Sequence, residues 1–172
     1  LKPPSKQGNK RRKGGIKILG KVAIVMGSES DRSVVETSLD YFKYFGITAE
    51  VVVMSAHRNP DEVQEFAKNA RRRGYDIIVA CAGMAAHLGG VIAAHTTLPV
   101  IGVPLSGSEL QGVDALYSMV QMPAGVPVAT MAIGKAGARN AAVFSAEILS
   151  LTNEAIALKL DQFKLNGCRL PK

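Results

Sequence analysis

The residue types best suited to chemistry meet in Ser55-Ala56-His57-Arg58-Asn59-Pro60. Histidine gains and loses a proton near neutral pH, and the arginine beside it is a permanent cation whose planar fork matches phosphate oxygens. Acid–base catalysis on a phosphorylated substrate calls for such a pair. The same residues also read as a solvated polar loop, and the hexapeptide alone leaves both readings open. Two more polar loops carry glycine. In Gly27-Ser28-Glu29-Ser30-Asp31, glycine admits a ligand to the backbone, Ser28 and Ser30 add hydroxyls, and Asp31 can accept from ribose hydroxyls. Ser30 or Asp31 alternatively caps a helix that starts here. The segment matches neither the P-loop nor Gly-x-Gly-x-x-Gly, which disfavours a nucleoside triphosphate or a dinucleotide. The stretch from Ala82-Gly83-Met84-Ala85-Ala86-His87 to Leu88-Gly89-Gly90 is small and nearly uncharged, with room for a flat ligand. His87 is either a second polar group there or a histidine that caps or packs a helix. His95 reads as structural, a histidine favoured by the dipole at a helix C-terminus.

Elements of two kinds must hold these loops. Short apolar runs at 22–26, 51–54, 77–81 and 100–103, and a weaker one at 126–132, predict strands. Helical periodicity falls at 31–45, 60–73, 88–95 and 113–119, followed by two helices at 135–150 and 152–165 with a break near 151–153. Asn59 is placed to cap the second helix, Pro60 suits its first position, and Asp61 and Glu62 favour its positive end. Gly46 and Gly74 stand where C-terminal caps belong. Strands separated by single helices pair in parallel through right-handed crossovers. The prediction is a flavodoxin-like three-layer α/β/α sandwich on a five-stranded parallel sheet, in the order 2-1-3-4-5. Its switch point lies between strands 1 and 3, where the two glycine-bearing loops emerge and the His57 loop flanks them. Three polar loops then converge on one crevice.

Composition narrows the partners. With 47% apolar residues, the 172-residue chain can build one ordinary core. Seven of its 21 Lys and Arg and none of its 14 Asp and Glu lie in residues 1–20, so the net charge of +7 belongs to that stretch. It reads as a basic, disordered tail or linker, and without interleaved aromatics no nucleic-acid partner is expected. Domain boundaries are placed at 1–20 for the tail, 21–165 for the folded domain with its C-terminal helices, and 166–172 for a C-terminal tail. Cys81 and Cys168 lack metal-ligand spacing; Cys81, inside an apolar run, reads as a small core residue. No disulfide framework, transmembrane run or signal-peptide core is seen, which suits a reducing, cytoplasmic setting without membrane attachment. The chain opens on Leu1 rather than methionine, which fits a piece of a longer polypeptide. The apolar, proline-punctuated stretch 112–129 predicts subunit contacts or ordinary core. Gly134-Lys135-Ala136-Gly137 lacks phosphate-loop spacing and reads as the start of a helix. Arg71-Arg72-Arg73 suits a helix end without any ligand.

Over about 22–149 the chain resembles the class I N5-carboxyaminoimidazole ribonucleotide mutases (PurE) of de novo purine synthesis. The resemblance rests on Met26-Gly27-Ser28-Glu29-Ser30-Asp31, Ser55-Ala56-His57-Arg58 with Pro60, Ala85-Ala86-His87-Leu88, Leu98-Pro99-Val100-Ile101-Gly102-Val103-Pro104 and Ser118-Met119-Val120-Gln121-Met122-Pro123. It implies a flavodoxin-like sandwich assembled as a homo-octamer, and an isomerase that needs no metal, ATP or organic cofactor. The implied reaction moves a carboxylate from the exocyclic nitrogen of an aminoimidazole ribonucleotide to ring carbon C4, through carbon dioxide held in a closed pocket. On this resemblance His57 is the general acid–base. Arg58 holds the phosphate with Ser28 and Ser55, and Asp31 binds the ribose. Gly83, Ala85, His87 and Leu88 line the pocket for the ring and carbon dioxide.

The family usually has glycine where this chain has Met84 and proline where it has Gly89. Met84 is expected to turn outward or to reshape the pocket, and Gly89 to loosen the loop. Asn59, where threonine is frequent, still supports capping. Two rivals remain at this stage: direct carboxylation of the aminoimidazole ribonucleotide with carbon dioxide, as in the class II relatives, and a non-catalytic flavodoxin-like nucleotide-binding module. The basic stretch 1–20 also fits a linker to the ATP-dependent carboxylase that makes the substrate.

Overall fold

The structure, a computed structural model, describes residues 19–171. Five parallel strands, β1 (Lys21–Met26), β2 (Thr48–Val53), β3 (Ile77–Gly83), β4 (Val100–Leu105) and β5 (Ala129–Thr130), form one sheet in the order β2-β1-β3-β4-β5. This is the predicted order. The registers are fixed by pairs such as Ile24 with Val51, Ile24 with Val79, and Val79 with Ile101.

Both sheet faces are covered, which is why β1, β3 and β4 read as continuous apolar runs rather than alternating ones. On one face Val22, Ile24, Met26, Ile77, Val79 and Cys81 pack with Phe42, Phe45, Ala138, Ala142, Ile156 and Phe163. These come from α2 (Leu39–Phe45), α6 (Lys135–Ser150) and α7 (Glu154–Leu165), with the short α1 (Arg32–Val35) before them. On the other face Ala23, Val25, Ile78 and Ala80 pack with Val63, Phe66, Ile92, Ala115 and Met119. Those belong to α3 (Pro60–Asn69), α4 (Leu88–His95) and α5 (Val113–Val120).

Helix ends follow local chemistry. Gly46 closes α2 at φ 76°, a left-handed conformation that glycine adopts without strain. Asn153 starts α7: its Oδ1 accepts from the Ala155 amide at 3.1 Å, and its Nδ2 donates to the Leu19 carbonyl at 3.1 Å. That accounts for the break read near 151–153, and it shows Leu19 already tied to the domain. Gly20 is likewise buried against Leu149. The basic stretch up to residue 18 lies outside the described residues. Among the described residues no helix is long and apolar enough to cross a membrane. His95 has the structural role expected of it. Its Nδ1 donates to the Val91 carbonyl and its Nε2 accepts from Gln64, each at 2.8 Å, tying α4 to α3. Arg71 donates to the Thr97 hydroxyl and carbonyl, both at 3.1 Å.

At the amino edge of the sheet, opposite the loops of interest, the Tyr75 hydroxyl donates to Glu50, and Lys21 pairs with Glu50 at 3.0 Å while lying over the Tyr75 ring. Burial first, and then the Glu50 hydrogen bond, push the Tyr75 hydroxyl up to about 12. A group whose folded value exceeds its unfolded one stabilises the fold below the unfolded value and loses that contribution as pH rises through the folded one. Stability is therefore expected to fall between about pH 10 and 12. Urea midpoints across that range should fall less steeply in Tyr75→Phe than in the parent.

Candidate active site

Four strands end at the same edge, and the loops after β1, β2, β3 and β4 enclose a crevice of about 390 Å³. Each loop is shaped by its own hydrogen bonds. After β1, the Gly27 amide donates to the Cys81 carbonyl at 3.1 Å, carrying the β1–β3 ladder into the turn. Ser28 is extended and its hydroxyl oxygen accepts from the Ser30 amide, while Asp31 Oδ2 accepts from the Ser28 amide at 3.2 Å. This is a reciprocal capping box. The capping hydroxyl is thus Ser28, not Ser30, and Asp31 is its counterpart. Burial raises the Asp31 carboxyl above its ordinary value, against the opposing pull of the Ser28 amide.

After β2, the Ser55 hydroxyl oxygen accepts from the His57 and Arg58 amides at 3.3 Å each, and the Asn59 amide donates to the Ser55 carbonyl at 2.8 Å. The turn is closed on its own backbone, so the His57 and Arg58 side chains are left for the crevice. The Ser55 proton also stays free to donate, since a hydroxyl that accepts still carries its hydrogen. Pro60 takes the first position of α3, with Asp61 and Glu62 in its first turn, as read from the sequence. Asn59 occupies the cap position but its side chain makes no capping bond; at φ −129° and ψ 52° it contributes only its carbonyl, which accepts from Val63.

After β3, a Cβ on Gly83 would stand 3.2 Å from the Leu105 carbonyl oxygen, because the β3 and β4 ends press together there. Met84 follows at φ 57° with its side chain 60% exposed at the rim of the crevice. It has turned outward, and it occupies a backbone region where glycine would be unstrained. Left-handed backbone costs a side-chain-bearing residue ~1–2 kcal/mol, partly offset by the greater freedom glycine has when unfolded, so Met84→Gly should stabilise the fold by ~0.5–1 kcal/mol. A urea midpoint that fell instead would show that the thioether makes compensating contacts. Gly89, expected to loosen this loop, lies within the first turn of α4, buried over Ala80 and Val128.

His87 sits at the cap of α4 without using its side chain as a cap. Its imidazole turns to His57 instead: His57 Nε2 and His87 Nδ1 are 3.0 Å apart, with the rings nearly perpendicular at 88°. Ala85 is exposed on the crevice wall, whereas the Leu88 side chain is buried in the core beneath it. Every residue singled out in the sequence (Ser28, Asp31, Ser55, His57, Arg58, Gly83, Ala85, His87 and Leu88) lines the crevice. Gly107, after β4, also lines it and was not anticipated. The signal was available: Ser106-Gly107-Ser108 is a small polar loop at the carboxyl end of the strand next to β3. Cys81 lies beneath, where burial and then the Asp31 charge push its thiol up, so it remains a protonated core residue. Among the described residues no group of three or more His, Cys, Asp or Glu is placed to hold a metal ion.

A five-stranded, doubly wound sheet with a polar crevice at its switch point defines a flavodoxin-like α/β protein that takes a small ligand at the carboxyl edge. Residues 21–168 match the family model described as AIR carboxylase. The chain is 49% identical over 144 residues to the N5-carboxyaminoimidazole ribonucleotide mutase of Escherichia coli K12, covering 84% of this chain and 85% of that protein. It is 53% identical over 145 residues to the mutase of Pseudomonas aeruginosa, covering 84% and 89%. The crystal structure of Treponema denticola PurE superposes with a TM-score of 0.78 at 27% identity, covering 87% of this chain and 92% of that one. The chain belongs to the AIR carboxylase family.

Proposed function

We infer that this protein is an N5-carboxyaminoimidazole ribonucleotide mutase of purine biosynthesis, an isomerase that forms 4-carboxy-5-aminoimidazole ribonucleotide. One observation carries the reading at the site: a histidine and an arginine from a single self-closed turn face the switch-point crevice together. The curated relatives are mutases, which favours this activity over direct carboxylation and over a non-catalytic module.

The reaction divides naturally among the crevice residues. Arg58 holds the substrate phosphate, with the Ser28 and Ser55 hydroxyls beside it. Asp31 accepts from the ribose hydroxyls, and its raised carboxyl value is lowered again as those donors arrive. His57 protonates the exocyclic nitrogen as its bond to the carboxyl carbon breaks, releasing carbon dioxide and the aminoimidazole. C4 of the ring then bonds to that carbon dioxide, and His57 takes the C4 proton. The proton lent in the first half returns in the second, so one group that titrates near neutrality serves both. Gly83, Ala85 and Leu88 form a small apolar wall with His87 beside it, and exclusion of water there keeps carbon dioxide from escaping.

Assembly as a homo-octamer is part of the same proposal. Val113, Tyr117 and Val120 lie exposed along one face of α5, continuing from exposed Leu110, which supports a subunit interface on the stretch 112–129. A cytoplasmic location is supported by two unpaired cysteines. We also propose a functional link to the ATP-dependent carboxylase that supplies the substrate, with the basic stretch as the connecting segment.

The test uses substrate labelled with carbon-13 at its carboxyl group, in excess unlabelled bicarbonate, followed by NMR. Label retained at C4 supports transfer within a closed pocket. Product carrying mostly unlabelled carbon means direct carboxylation or a leaking pocket. Absence of product from folded protein overturns the enzymatic reading. Met84→Gly, which removes the side chain at the rim, is expected to lower label retention measurably.

A further inference from the structure

We propose that His57 and His87 work as a single-proton store, with His87 as the positioning residue that fixes the protonation pattern of the catalytic imidazole; this rests on the mutase reading above. The two rings approach through His57 Nε2 and His87 Nδ1 at 3.0 Å. At that separation one nitrogen must carry hydrogen and the other a lone pair. Two N–H groups pointed at each other would repel, so the bridge holds one proton and no more. The nitrogen of His57 left to serve a substrate is then Nδ1, and the outer nitrogen of His87 is Nε2.

The consequences follow by counting hydrogens. With both rings neutral, one hydrogen lies in the bridge and one on an outer nitrogen. With one extra proton, both outer nitrogens are protonated and the bridge is intact. From that state His57 Nδ1 gives its proton to the exocyclic nitrogen as the carboxyl leaves. Its lone pair later accepts the C4 proton as the new C–C bond forms. The pair ends as it began, and no other reactant is required. A reaction that borrows one proton and returns it needs a store that takes one and refuses two, and the bridge supplies that limit.

The arrangement is built from independent elements. His57 comes from the turn after β2, held by the Ser55 hydroxyl, and His87 from the start of α4 after β3, where its side chain is released from capping. Asp31 and Arg58 are the other titratable or charged side chains lining the crevice. Arg58 opposes a second positive charge on the pair, and Asp31 favours the first.

His87→Phe keeps a ring against His57 and removes both nitrogens; His87→Asn keeps a polar group near the Nδ1 position. In His87→Phe, kcat is expected to fall by ~10²-fold with KM changed by only a few-fold, at the lower end of what proton-transfer groups contribute. The pH profile of kcat, in which the pair titrates as one unit, should change shape. His87→Asn should recover part of the loss. Nitrogen-15 NMR of the imidazoles in the free protein supplies a readout independent of turnover: the parent should show complementary tautomers at His57 and His87, and the His57 signals should shift in His87→Phe. A change in KM alone, with kcat, pH profile and His57 signals unmoved, makes His87 a substrate contact and overturns the proposal. If the parent lacks mutase activity while the NMR shows the coupled pair, the functional reading has failed and the store has not.

Discussion

His57→Asn is expected to reduce kcat by ~10²–10⁴-fold, the range that positioned acid–base groups contribute, while the melting temperature stays within error of the parent. The reasoning separates fold from chemistry. The His57 backbone is held by its own amide donating to Ser55, a bond that asparagine keeps. The ring is exposed, so its loss opens no core cavity. Arg58 stays in place through its separate amide contact to the same hydroxyl, so ribonucleotide binding by titration calorimetry should change by no more than a few-fold. What disappears is the group that gives a proton and takes it back, since an amide has no accessible second protonation state. A variant that kept a tenth or more of the parent kcat would remove His57 from the catalytic role. A variant that lost binding as well would show that the ring holds the substrate rather than acting on it.

The largest structural effect is expected at Gly137. A Cβ there would lie 1.6 Å from the Ala132 carbonyl oxygen and 2.7 Å from its carbon. Both are backbone atoms of the segment leading from β5 to α6, so neither can rotate away as a side-chain end could. Gly137 is buried on the face of α6 that also carries Ala138, Ala141, Ala142 and Ala146, small residues that bring the helix close to the sheet. Gly137→Ala must push α6 off that sheet or distort its first turn, and a loss of ~3 kcal/mol or more is expected, at or beyond the upper end of ordinary overpacking. The urea midpoint measures it. Gly89→Ala is the matched comparison: it also lies in a helix, but its Cβ would meet Val128 at 3.4 Å and Ala80 at 3.7 Å, ordinary contacts. It should gain ~0.5–1 kcal/mol from replacing a helical glycine. Equal effects from the two substitutions would refute the steric argument.

Apolar periodicity carried most of the architecture. Strands buried on both faces read as unbroken apolar runs, and single helices between them permit only parallel pairing, so strand order and crevice position were legible before any coordinates. Local side-chain bonding was less so. The helix expected over 31–45 is interrupted by a 3₁₀ turn at Glu36–Ser38, where Thr37 donates to the Val34 carbonyl at 2.7 Å and Ser38 to the Val35 carbonyl at 2.6 Å. Such hydroxyls compete with the backbone ladder, and periodicity does not register them. The second helix stops at Asn69 rather than 73, the chain turning through Arg73 to Gly74 at φ 79°. The last strand shrinks to Ala129–Thr130 because Pro127 has no amide to donate to a ladder. At the site, residue types and loop positions were readable, but the meeting of His57 with His87 was not. It depends on two rotamers from loops thirty residues apart, and nothing in either loop's composition encodes them. Gly137 was read as part of a helix start, and its steric necessity appears only when Ala132 is seen beneath it.

The two histidines hang from strands of unequal standing. β3, which carries His87, is bonded on one side to β1 and on the other to β4, whereas β2, which carries His57, has β1 as its one neighbour in the sheet. Amide hydrogens of β2 can therefore exchange with solvent through an opening that leaves the rest of the sheet intact, while those of β3 must wait for a larger one. The imidazole pair thus straddles two levels of native-state protection. A ligand gripped by Arg58 on one side and by the Gly83 loop on the other would clamp the less protected level to the more protected one, so deuterium uptake across Val51–Val53 should slow on binding more than uptake across Ile78–Ala82.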